Sequence, residues 1–337
     1  MHVTASAPGK LVLLGEYAVL EGAPALVLAV NRRARVTLTT FDANAWEIVS
    51  PTLGLQARLQ IQHGRAEWLD APNDELAWVP IPLGQFPDVD RLPACRMELD
   101  SDTFYVDHLG ARAKLGLGSS AALTVALLGA LHAAAGLPAP TLDECIRTHR
   151  TIQGGRGSGI DIAASRAGGL SRFELSRRAP QCRRVEMPSG LHWCCVYSGQ
   201  PASTGAMLAV VAKWREREPT GFEHHMHELA TISSRGVDAV AADNAAAFLS
   251  SLHDYSSALA RFGEAAGIDI ATREHRALGA IAKDCGCVYK SCGAGGGDVG
   301  VTFAVEDRRL EGFSAQAVRA GFPVIGLEAD PTGLVVV

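Results

Sequence analysis

Runs of basic residues are missing from this sequence, as are stripes in which aromatic and basic side chains alternate. Lysine and arginine number 31 against 36 aspartate and glutamate residues, which leaves a formal net charge of −5 at pH 7. Because nonspecific attraction to a nucleic-acid backbone needs clustered positive charge, this balance argues against a nucleic-acid partner. It leaves room for a local site that binds a small acidic molecule.

Long hydrophobic runs are also missing. The most apolar segment, residues 121–135, is interrupted by Thr124 and His132. It is also shorter than the roughly 20 residues that span a bilayer. The N-terminus has no charged start followed by an apolar core, so it does not resemble a secretory signal. We expect a cytoplasmic protein without a membrane segment.

The eight cysteines include no C-x-x-C pair. Cys285, Cys287 and Cys292 are close in sequence, but their spacing is not that of a usual zinc site and no matching second half follows. We therefore predict reduced cysteines packed in the core, with metal binding as the less favoured alternative. The histidines around His225 lie in a polar helical stretch, which favours a solvated face over a metal site.

A glycine-rich segment, KLGLGSSAA at residues 114–122, is the most informative feature that is present. Gly116 and Gly118 can adopt backbone conformations closed to other residues, and they let amide groups come close to an anion. The two serines that follow open a predicted helix over residues 121–135, whose first amides have no partner inside the helix. The segment predicts a phosphate-binding loop. An ordinary capped helix after a tight turn is the equally weighted alternative.

The hydrophobic pattern predicts an α+β fold class. Apolar or β-branched runs at residues 11–14, 25–30 and 35–40 favour a strand-rich opening. Six prolines break the pattern in residues 44–96, where we expect loops with short strands or helical turns and assign no chemistry. We expect a further strand at residues 95–106, leading to the glycine loop.

Helical patterns dominate the rest of the chain. Thr141, followed three residues later by Glu144, has the spacing of a capping box and predicts a helix start. Charge and proline cluster at residues 179–188, where we place the boundary between domains 1–184 and 185–337. In the second domain we predict helices at residues 203–217, 224–242, 245–266 and 272–285, then a glycine-rich segment at 290–300 and a strand at 301–305.

Three segments, residues 8–16, 116–122 and 293–300, follow the order and spacing of the three motifs of the GHMP kinases. The chain resembles that superfamily over nearly its full length. The resemblance implies transfer of the terminal phosphate of ATP to a small alcohol, with Mg²⁺. It also implies a two-lobed fold, with a left-handed crossover in the N-terminal lobe, a ferredoxin-like C-terminal lobe and the site between them.

Four local details are similar to the phosphomevalonate kinases within that superfamily. Lys114 leads the glycine loop, and residues 149–165 match the surroundings of that family's aspartate. Residues 198–204 resemble its substrate-side loop, and Asp298 ends the third glycine-rich segment. The resemblance implies phosphoryl transfer to phosphomevalonate, giving diphosphomevalonate and ADP in the mevalonate pathway of isoprenoid precursor synthesis.

The resemblance also assigns roles to individual residues. Asp161 matches the base that takes a proton from the attacking oxygen, and Lys10 matches its cationic partner; a helix N-cap and a solvated lysine are the alternatives. Ser120 matches the hydroxyl on the magnesium side. The ATP-binding set is Lys114, Gly116, Leu117, Gly118, Ser119, Ser120 and Ala121. The substrate-binding set is Glu16, Tyr17, His149, Arg150, Ser158, Gly159, Ser203, Thr204, Gly293, Ala294 and Gly295.

A substrate that already carries a phosphate requires cations near the site. Where mevalonate kinases have a magnesium-binding glutamate, this sequence has His149 and Arg150. Because arginine matches phosphate geometry with two parallel hydrogen bonds, we expect these two residues, with Lys114 and Arg156, to form an anion-binding side. Surface salt bridges are the alternative for Arg156.

Other members of the superfamily stay open as alternatives. A mevalonate kinase or a sugar kinase would phosphorylate an alcohol without a phosphate. A diphosphomevalonate decarboxylase is disfavoured because its family lacks the lysine found here as Lys10, and intact Lys10, Ser120 and Asp161 disfavour a noncatalytic binding protein. The sequence predicts a monomer or a homodimer without separating the two.

Overall fold

The computed structural model of this protein describes residues 1–41, 44–87, 89–176 and 179–337. The strands are β1 (His2–Leu14), β2 (Ala25–Thr40), β3 (Trp46–Ser50), β4 (Leu55–Gln62), β5 (Arg65–Trp68), β6 (Cys95–Asp100), β7 (Tyr105–His108), β8 (Ala111–Lys114), β9 (Leu170–Leu175), β10 (Pro180–Val185), β11 (His192–Tyr197), β12 (Val288–Ser291), β13 (Val299–Ala304), β14 (Val324–Ile325) and β15 (Val335–Val336). The helices are α1 (Pro80–Gln85), α2 (Ser119–Ala134), α3 (Leu142–Ile152), α4 (Ile160–Ala167), α5 (Thr204–Arg217), α6 (Pro219–Ala241), α7 (Ala245–Ala266), α8 (Arg273–Asp284) and α9 (Asp307–Arg319).

A nine-stranded sheet forms the first lobe, in the order β10-β9-β2-β6-β3-β4-β5, with β1 and then β15 on the other side of β2. The long β2 joins the two halves of this sheet, because its first residues pair with β9 and its last with β6. All pairs are antiparallel except β3 with β6. Helices α2 and α4 pack against β1 and β2, and the small apolar residues of α2 leave it buried on nearly every side.

The two strands predicted within residues 25–40 are one continuous strand. The register between β1 and β2 shifts between Pro8 and Gly9, which leaves Asn31 and Arg32 without partners on β1. A bulge of this kind absorbs polar residues without ending a strand. The backbone amide of Asn31 instead donates to Glu328 O at 3.0 Å.

The strand predicted at residues 95–106 is interrupted between Asp100 and Tyr105. The Asp100 carboxylate accepts a hydrogen bond from the backbone amide of Asp102 at 2.9 Å, which turns the chain into the short 3₁₀ helix Asp102–Phe104. A separate hairpin of β7 and β8 then leads into the glycine loop. Short strands and α1 occupy residues 44–96, as expected.

The second lobe is built on a four-stranded antiparallel sheet in the order β12-β13-β11-β14. With helices between β11 and β12 and α9 between β13 and β14, this order is that of a ferredoxin-like unit. The four helices predicted in this lobe are confirmed with small shifts of their ends, whereas α9 was not predicted. The two-lobed α+β fold is therefore confirmed, and the handedness of the crossover stays a prediction.

The C-terminal residues return to the first lobe. Strand β15 pairs with β1, and the carboxylate of Asp330 forms an ion pair with Arg33 at 2.5 Å. The backbone of Asp330 also accepts a hydrogen bond from the amide of Gly169 at 2.6 Å. The domain boundary at residue 184 stays a prediction. The structure adds that a C-terminal segment returns from the second lobe to the first.

The described ranges bear on the expected membrane segments, metal sites and cysteines. No helix there has the length and hydropathy needed to cross a membrane. No group of three or more His, Cys, Asp or Glu side chains there is arranged to hold a metal ion. All eight cysteines are free thiols, and most are buried, in line with the predicted reduced state.

Candidate active site

Lys10 reaches the centre of the cleft from β1. Its side chain is buried, and its Nζ donates to Gly116 O at 3.1 Å. The backbone amide of the same residue donates to Leu117 O at 2.8 Å, so β1 and the glycine loop are joined at both the main chain and the side chain. The strand thus sets the position of the loop and of the cation together.

Asp161 lies 3.9 Å from Lys10, measured from Oδ2 to Nζ. It is in the first turn of α4, and its side chain is 36% exposed. The helix begins after Gly159, which has φ of +87°, and no side chain caps this helix end. The alternative interpretation of Asp161 as the N-cap is therefore wrong. A methyl group at Gly159 would lie 2.7 Å from Ile146, so only glycine fits this helix start.

The glycine loop leads into α2 through Gly118, which has φ of +81°. A methyl group there would lie 3.1 Å from Cγ of Lys10 and 3.7 Å from Oδ2 of Asp161. The absence of a side chain thus leaves the entrance to α2 open beside both polar groups. The first amides of α2 have no acceptor within the helix, and the helix dipole favours an anion in front of them.

The third glycine-rich segment brings the second lobe to the same place. The Asp298 carboxylate lies where a side chain of Gly116 would be, since a methyl group at Gly116 would come within 2.1 Å of its Oδ2. The other carboxylate oxygen accepts a hydrogen bond from the amide of Ala202 at 3.1 Å. Burial raises the pKa of Asp298, while the charges of Lys10 and Lys114 oppose the shift.

An ion pair between Glu16 and Lys290 joins the lobes behind the cleft. Both side chains are almost fully buried, and Lys290 Nζ also donates to Ser291 O at 2.7 Å. The hydroxyl of Tyr255 donates to the backbone oxygen of Glu16 at 2.7 Å. Burial raises the pKa of Glu16 and the Lys290 ammonium opposes the shift. One carboxylate oxygen of Glu16, Oε2, is buried without a hydrogen-bond partner.

Comparisons with known proteins identify the family to which the chain belongs. Residues 93–169 match the model of the GHMP kinases N-terminal domain. The chain is 33% identical to a phosphomevalonate kinase of Streptomyces sp. (strain CL190), over 88% of this chain and 88% of that protein. It is 30% identical to a mevalonate kinase of Archaeoglobus fulgidus, over 71% of this chain and 73% of that protein. The chain belongs to the GHMP kinase family.

The fold of this GHMP kinase is also that of a solved relative. Streptococcus pneumoniae phosphomevalonate kinase in complex with phosphomevalonate and AMPPNP matches with a TM-score of 0.78, at 19% identity, over 97% of this chain and 99% of that one. Members of the family use ATP to phosphorylate small molecules. The protein is therefore a small-molecule kinase.

The cleft of this GHMP kinase brings together most of the predicted substrate residues. It has a volume of about 860 Å³ including its open mouth. The predicted residues that line it are Lys10, Glu16, Tyr17, His149, Ser158, Gly159, Asp161, Thr204, Gly293 and Ala294. Three predicted substrate residues are outside this lining: Arg150, Ser203, whose hydroxyl caps α5, and Gly295, which packs on Ile270.

His149 and Arg150 differ from the expected basic pair. Burial lowers the pKa of His149, although the charge of Asp161 opposes the shift, so its ring is neutral at neutral pH. Its Nε2 lies 3.2 Å from the hydroxyl oxygen of Ser120. The Arg150 guanidinium donates to the carbonyl oxygens of Gly157 at 2.9 Å and Ser158 at 3.2 Å. This arginine holds the loop before α4 from outside the cleft.

The polar groups at the start of α2 and α4 fit a nucleoside triphosphate with its magnesium ion. Gly118 leaves a cradle that a side chain would fill, and Ser120 presents a hydroxyl beside the amides of α2. Asp161 adds a partly exposed carboxylate, whose oxygen atoms are of the type that Mg²⁺ prefers. The Lys114 side chain at the entrance to the loop is exposed.

Several residues of the cleft were not predicted from the sequence. Its apolar wall and rim include Val12, Val19, Leu20 and Leu208. These residues carry no motif, because apolar side chains in a strand or helix look the same whether they face a core or a ligand. Lys290 did have a signal, since it opens the third glycine-rich segment. Its complete burial against Glu16 depends on the packing of two lobes and is not visible in either segment alone.

Proposed function

We propose that this GHMP kinase transfers the terminal phosphate of ATP to phosphomevalonate, giving diphosphomevalonate and ADP. The observation that carries the proposal is the 33% identity with the Streptomyces phosphomevalonate kinase over 88% of both chains. Because that likeness spans both lobes, it includes the cleft as well as the glycine loop. The positions of the polar groups in the cleft are also compatible with phosphoryl transfer.

The proposed roles follow from position and charge. Phosphoryl transfer passes through a loose transition state, so positioning and charge stabilisation contribute most of the catalysis. The bound Mg²⁺ would neutralise charge on the phosphates. We propose that the loop with Gly116 and Ser120 holds the triphosphate, with the Ser120 hydroxyl on the metal side. The amides at the start of α2 complete this cradle.

Asp161 is proposed to orient the acceptor hydroxyl and to take its proton as the new bond forms. It is more exposed than Lys10, so it faces the space where an acceptor would lie. The Lys10 ammonium, held by Gly116 O, is placed to stabilise negative charge on the moving phosphoryl group. Its Nζ lies 3.9 Å from Asp161 Oδ2, so the two groups form an ion pair beside the proposed site of transfer.

A specific observation favours mevalonate kinase as the second candidate. Among the described residues that line the cleft, Lys10 is the one side chain with a fixed positive charge. Arg150 is bound to backbone oxygens and His149 is neutral, so neither presents a cation to an acceptor phosphate. Under the first proposal, the exposed Lys114 and Arg156 would have to serve as the cations for that phosphate.

The deciding experiment is ADP release from the purified protein with Mg-ATP, with mevalonate and phosphomevalonate offered in parallel. We expect turnover with phosphomevalonate and little with mevalonate. Turnover with mevalonate alone would replace the proposed acceptor while keeping the proposed roles of Lys10 and Asp161. Silence with both acceptors, in a protein that binds ATP, would exclude both candidates.

A further inference from the structure

A buried histidine of the second lobe contacts the third glycine-rich segment from behind. His275, in the first turn of α8, is 4% exposed. Its Nε2 lies 2.9 Å from Gly297 O, and its Nδ1 lies 2.6 Å from the hydroxyl oxygen of Tyr289. A carbonyl oxygen only accepts, so Nε2 carries the ring hydrogen. In the neutral ring, Nδ1 then accepts from the Tyr289 hydroxyl.

We propose that neutral His275 is a positioning residue for ATP. It fixes the backbone of Gly297 and Asp298, and through the Asp298 carboxylate it fixes the glycine loop at Gly116. The inference rests on the proposed role of that loop in holding the triphosphate. His275 itself lies outside the residues that line the cleft.

The backbone that His275 holds is unusual. Gly297 has φ of +150° and Asp298 has φ of +57°, so two consecutive residues are in the region that disfavours side chains. A methyl group at Gly297 would lie 2.6 Å from Gln200 O. Such a conformation persists only where its surroundings over-determine it. The bond from His275 to the Gly297 carbonyl is one of those restraints.

The restraint reaches the phosphate loop through Asp298. The backbone amide of Asp298 donates to Gln200 O at 2.7 Å, and its carboxylate accepts from Ala202 N at 3.1 Å. The same carboxylate occupies the space beside Gly116. If the Gly297 peptide turns, Asp298 turns with it, and the contact with the glycine loop is lost or becomes a clash.

Tyr289 gives the histidine a fixed partner on its other side. A methyl group at Gly300 would lie 2.1 Å from the Tyr289 hydroxyl oxygen, so β13 passes directly against that hydroxyl. The Tyr289 ring therefore lies between β13 and His275. Burial raises the pKa of Tyr289 well above its ordinary value, so it remains a hydroxyl that can donate.

The arrangement makes ATP binding sensitive to acid. Burial lowers the pKa of His275, so the neutral ring prevails at neutral pH. Protonation would place a hydrogen on Nδ1, which would then donate to the Tyr289 oxygen, so the Tyr289 hydroxyl would lose its acceptor and a positive charge would be buried near Lys290. The ionisable groups around the ring are Asp269, Glu274, Tyr289 and Lys290, with His253, Arg276, Lys283 and Cys287 along the adjoining groove and Asp298 beyond Gly297.

The test compares His275→Gln with His275→Asn. The glutamine amide nitrogen can take the place of Nε2 and keep the bond to Gly297 O, whereas the shorter asparagine cannot reach it. We expect His275→Asn to raise KM for ATP by roughly 3- to 10-fold, the worth of about one hydrogen bond, with a smaller change in KM for the acceptor. His275→Gln should stay near the wild-type KM.

The dependence of KM for ATP on pH is a second readout, and a merely structural role of His275 would not change it. In the wild type, KM for ATP should rise as pH falls through the lowered histidine pKa, and this rise should be absent in His275→Gln. Tyr289→Phe removes only the hydroxyl and serves if His275→Asn does not fold. It should raise KM for ATP in the same direction.

His132→Asn is the matched control in the first lobe. His132 is also buried and bonded at both nitrogens, to Pro138 O and to Glu144, but it is not among the described residues that line the cleft. Its loss should lower the melting temperature and leave KM for ATP unchanged. Equal KM values for ATP in His275→Asn, Tyr289→Phe and wild type would overturn the inference.

A separate experiment tests the proposed role of the glycine loop in holding the triphosphate, on which the inference depends. Binding of AMPPNP, followed by intrinsic fluorescence, should be weakened in Gly116→Ala because the added methyl group meets Asp298. Unchanged binding in Gly116→Ala would remove the loop from the ATP site, and with it the basis of the inference. Weakened binding in Gly116→Ala together with unchanged binding in His275→Asn would reject the role of His275 alone.

Discussion

Lys10 and Asp161 are in contact range at the centre of the cleft, and their burial separates their proposed roles. Lys10 is enclosed and tied to the glycine loop, whereas Asp161 faces the open part of the cleft. A buried lysine that is held by the loop can stabilise negative charge at the position that the loop sets. A carboxylate that faces the open cleft can contact the acceptor directly.

Asp161→Asn should lower kcat while leaving ATP affinity nearly unchanged. Loss of a general base costs roughly 10²- to 10⁴-fold in rate, and the amide keeps the shape of the carboxylate. Steady-state kinetics and nucleotide titration would measure the two effects. Asp143→Asn is the control, because Asp143 pairs with Arg147 on the exposed face of α3. Unchanged turnover in Asp161→Asn would remove this residue from the mechanism.

Gly118→Ala tests whether the entrance to α2 must be bare. The variant combines a positive φ with a methyl group that crowds Lys10. Gly136→Ala is a matched control, because Gly136 has φ of +68° but nothing within 4 Å of an added methyl group. We expect both variants to lose about 1 kcal/mol of unfolding free energy from backbone strain. Only Gly118→Ala should also lose ATP affinity, and equal affinities would argue against the cradle.

At the scale of elements, the loop between α3 and α4 is positioned by an arginine from α3. Arg150 donates to two successive carbonyl oxygens, and the loop it holds supplies Gly157 and Ser158 to the cleft. The sequence predicted a direct contact with an acceptor phosphate at this position. The guanidinium donates to the backbone instead, so we expect its effect on the acceptor to be indirect.

Arg150→Lys separates the two interpretations. A lysine can still attract a phosphate as a point charge, but it cannot span two carbonyl oxygens as the guanidinium fork does. Under the positioning role, we expect Arg150→Lys and Arg150→Ala to raise KM for the acceptor to a similar extent, with a small change in KM for ATP. A lysine variant that retains most of the wild-type KM would instead support direct binding of the phosphate.

At the scale of the whole molecule, the lobes meet through buried polar groups behind the cleft. The Glu16–Lys290 pair, the bond from Tyr255 to Glu16 O and the bond from Tyr17 to Ala294 O at 2.7 Å all cross the boundary. Tyr17 has φ of +60°, so the turn that carries these contacts is held in a strained conformation. One substitution among these polar groups can therefore weaken the contact between the two lobes that form the cleft.

Lys290→Met should lower the unfolding free energy by about 3–5 kcal/mol, because it leaves the Glu16 carboxylate buried without its cation. Burial raises the pKa of Glu16 in the folded state, and loss of Lys290 strengthens that shift. The stability of the variant should therefore be greatest below the unfolded pKa of glutamate and should fall as pH rises through the folded pKa.

Urea denaturation at several pH values measures this effect. Arg261→Met is the control, since Arg261 pairs with Glu228 near the surface and should change stability by less than about 1 kcal/mol. The double variant Glu16→Gln with Lys290→Met should recover part of the loss. Equal losses in the two single lysine and arginine variants would show that the buried pair does not hold the lobes together.

Local signals account for the elements that sequence analysis found. Thr141 and Glu144 form the predicted capping box, with the Thr141 hydroxyl accepting from Glu144 N at 3.2 Å. Helices α5, α7 and α8 of the second lobe also begin at side-chain caps, which are Ser203, Asn244 and Thr272. Helix α9 was missed although its apolar positions face the core, and its start has no side-chain cap.

The sequence by itself determined the family, the order of the three glycine-rich segments and the residue types of the candidate site. Those properties depend on neighbouring residues and on motif spacing, which a chain carries before it folds. The tertiary structure decided which side chains meet. It placed Asp298 against Gly116, Lys290 against Glu16 and Arg150 against its own loop, because each contact joins segments whose distance and direction are set only when strands and helices pack.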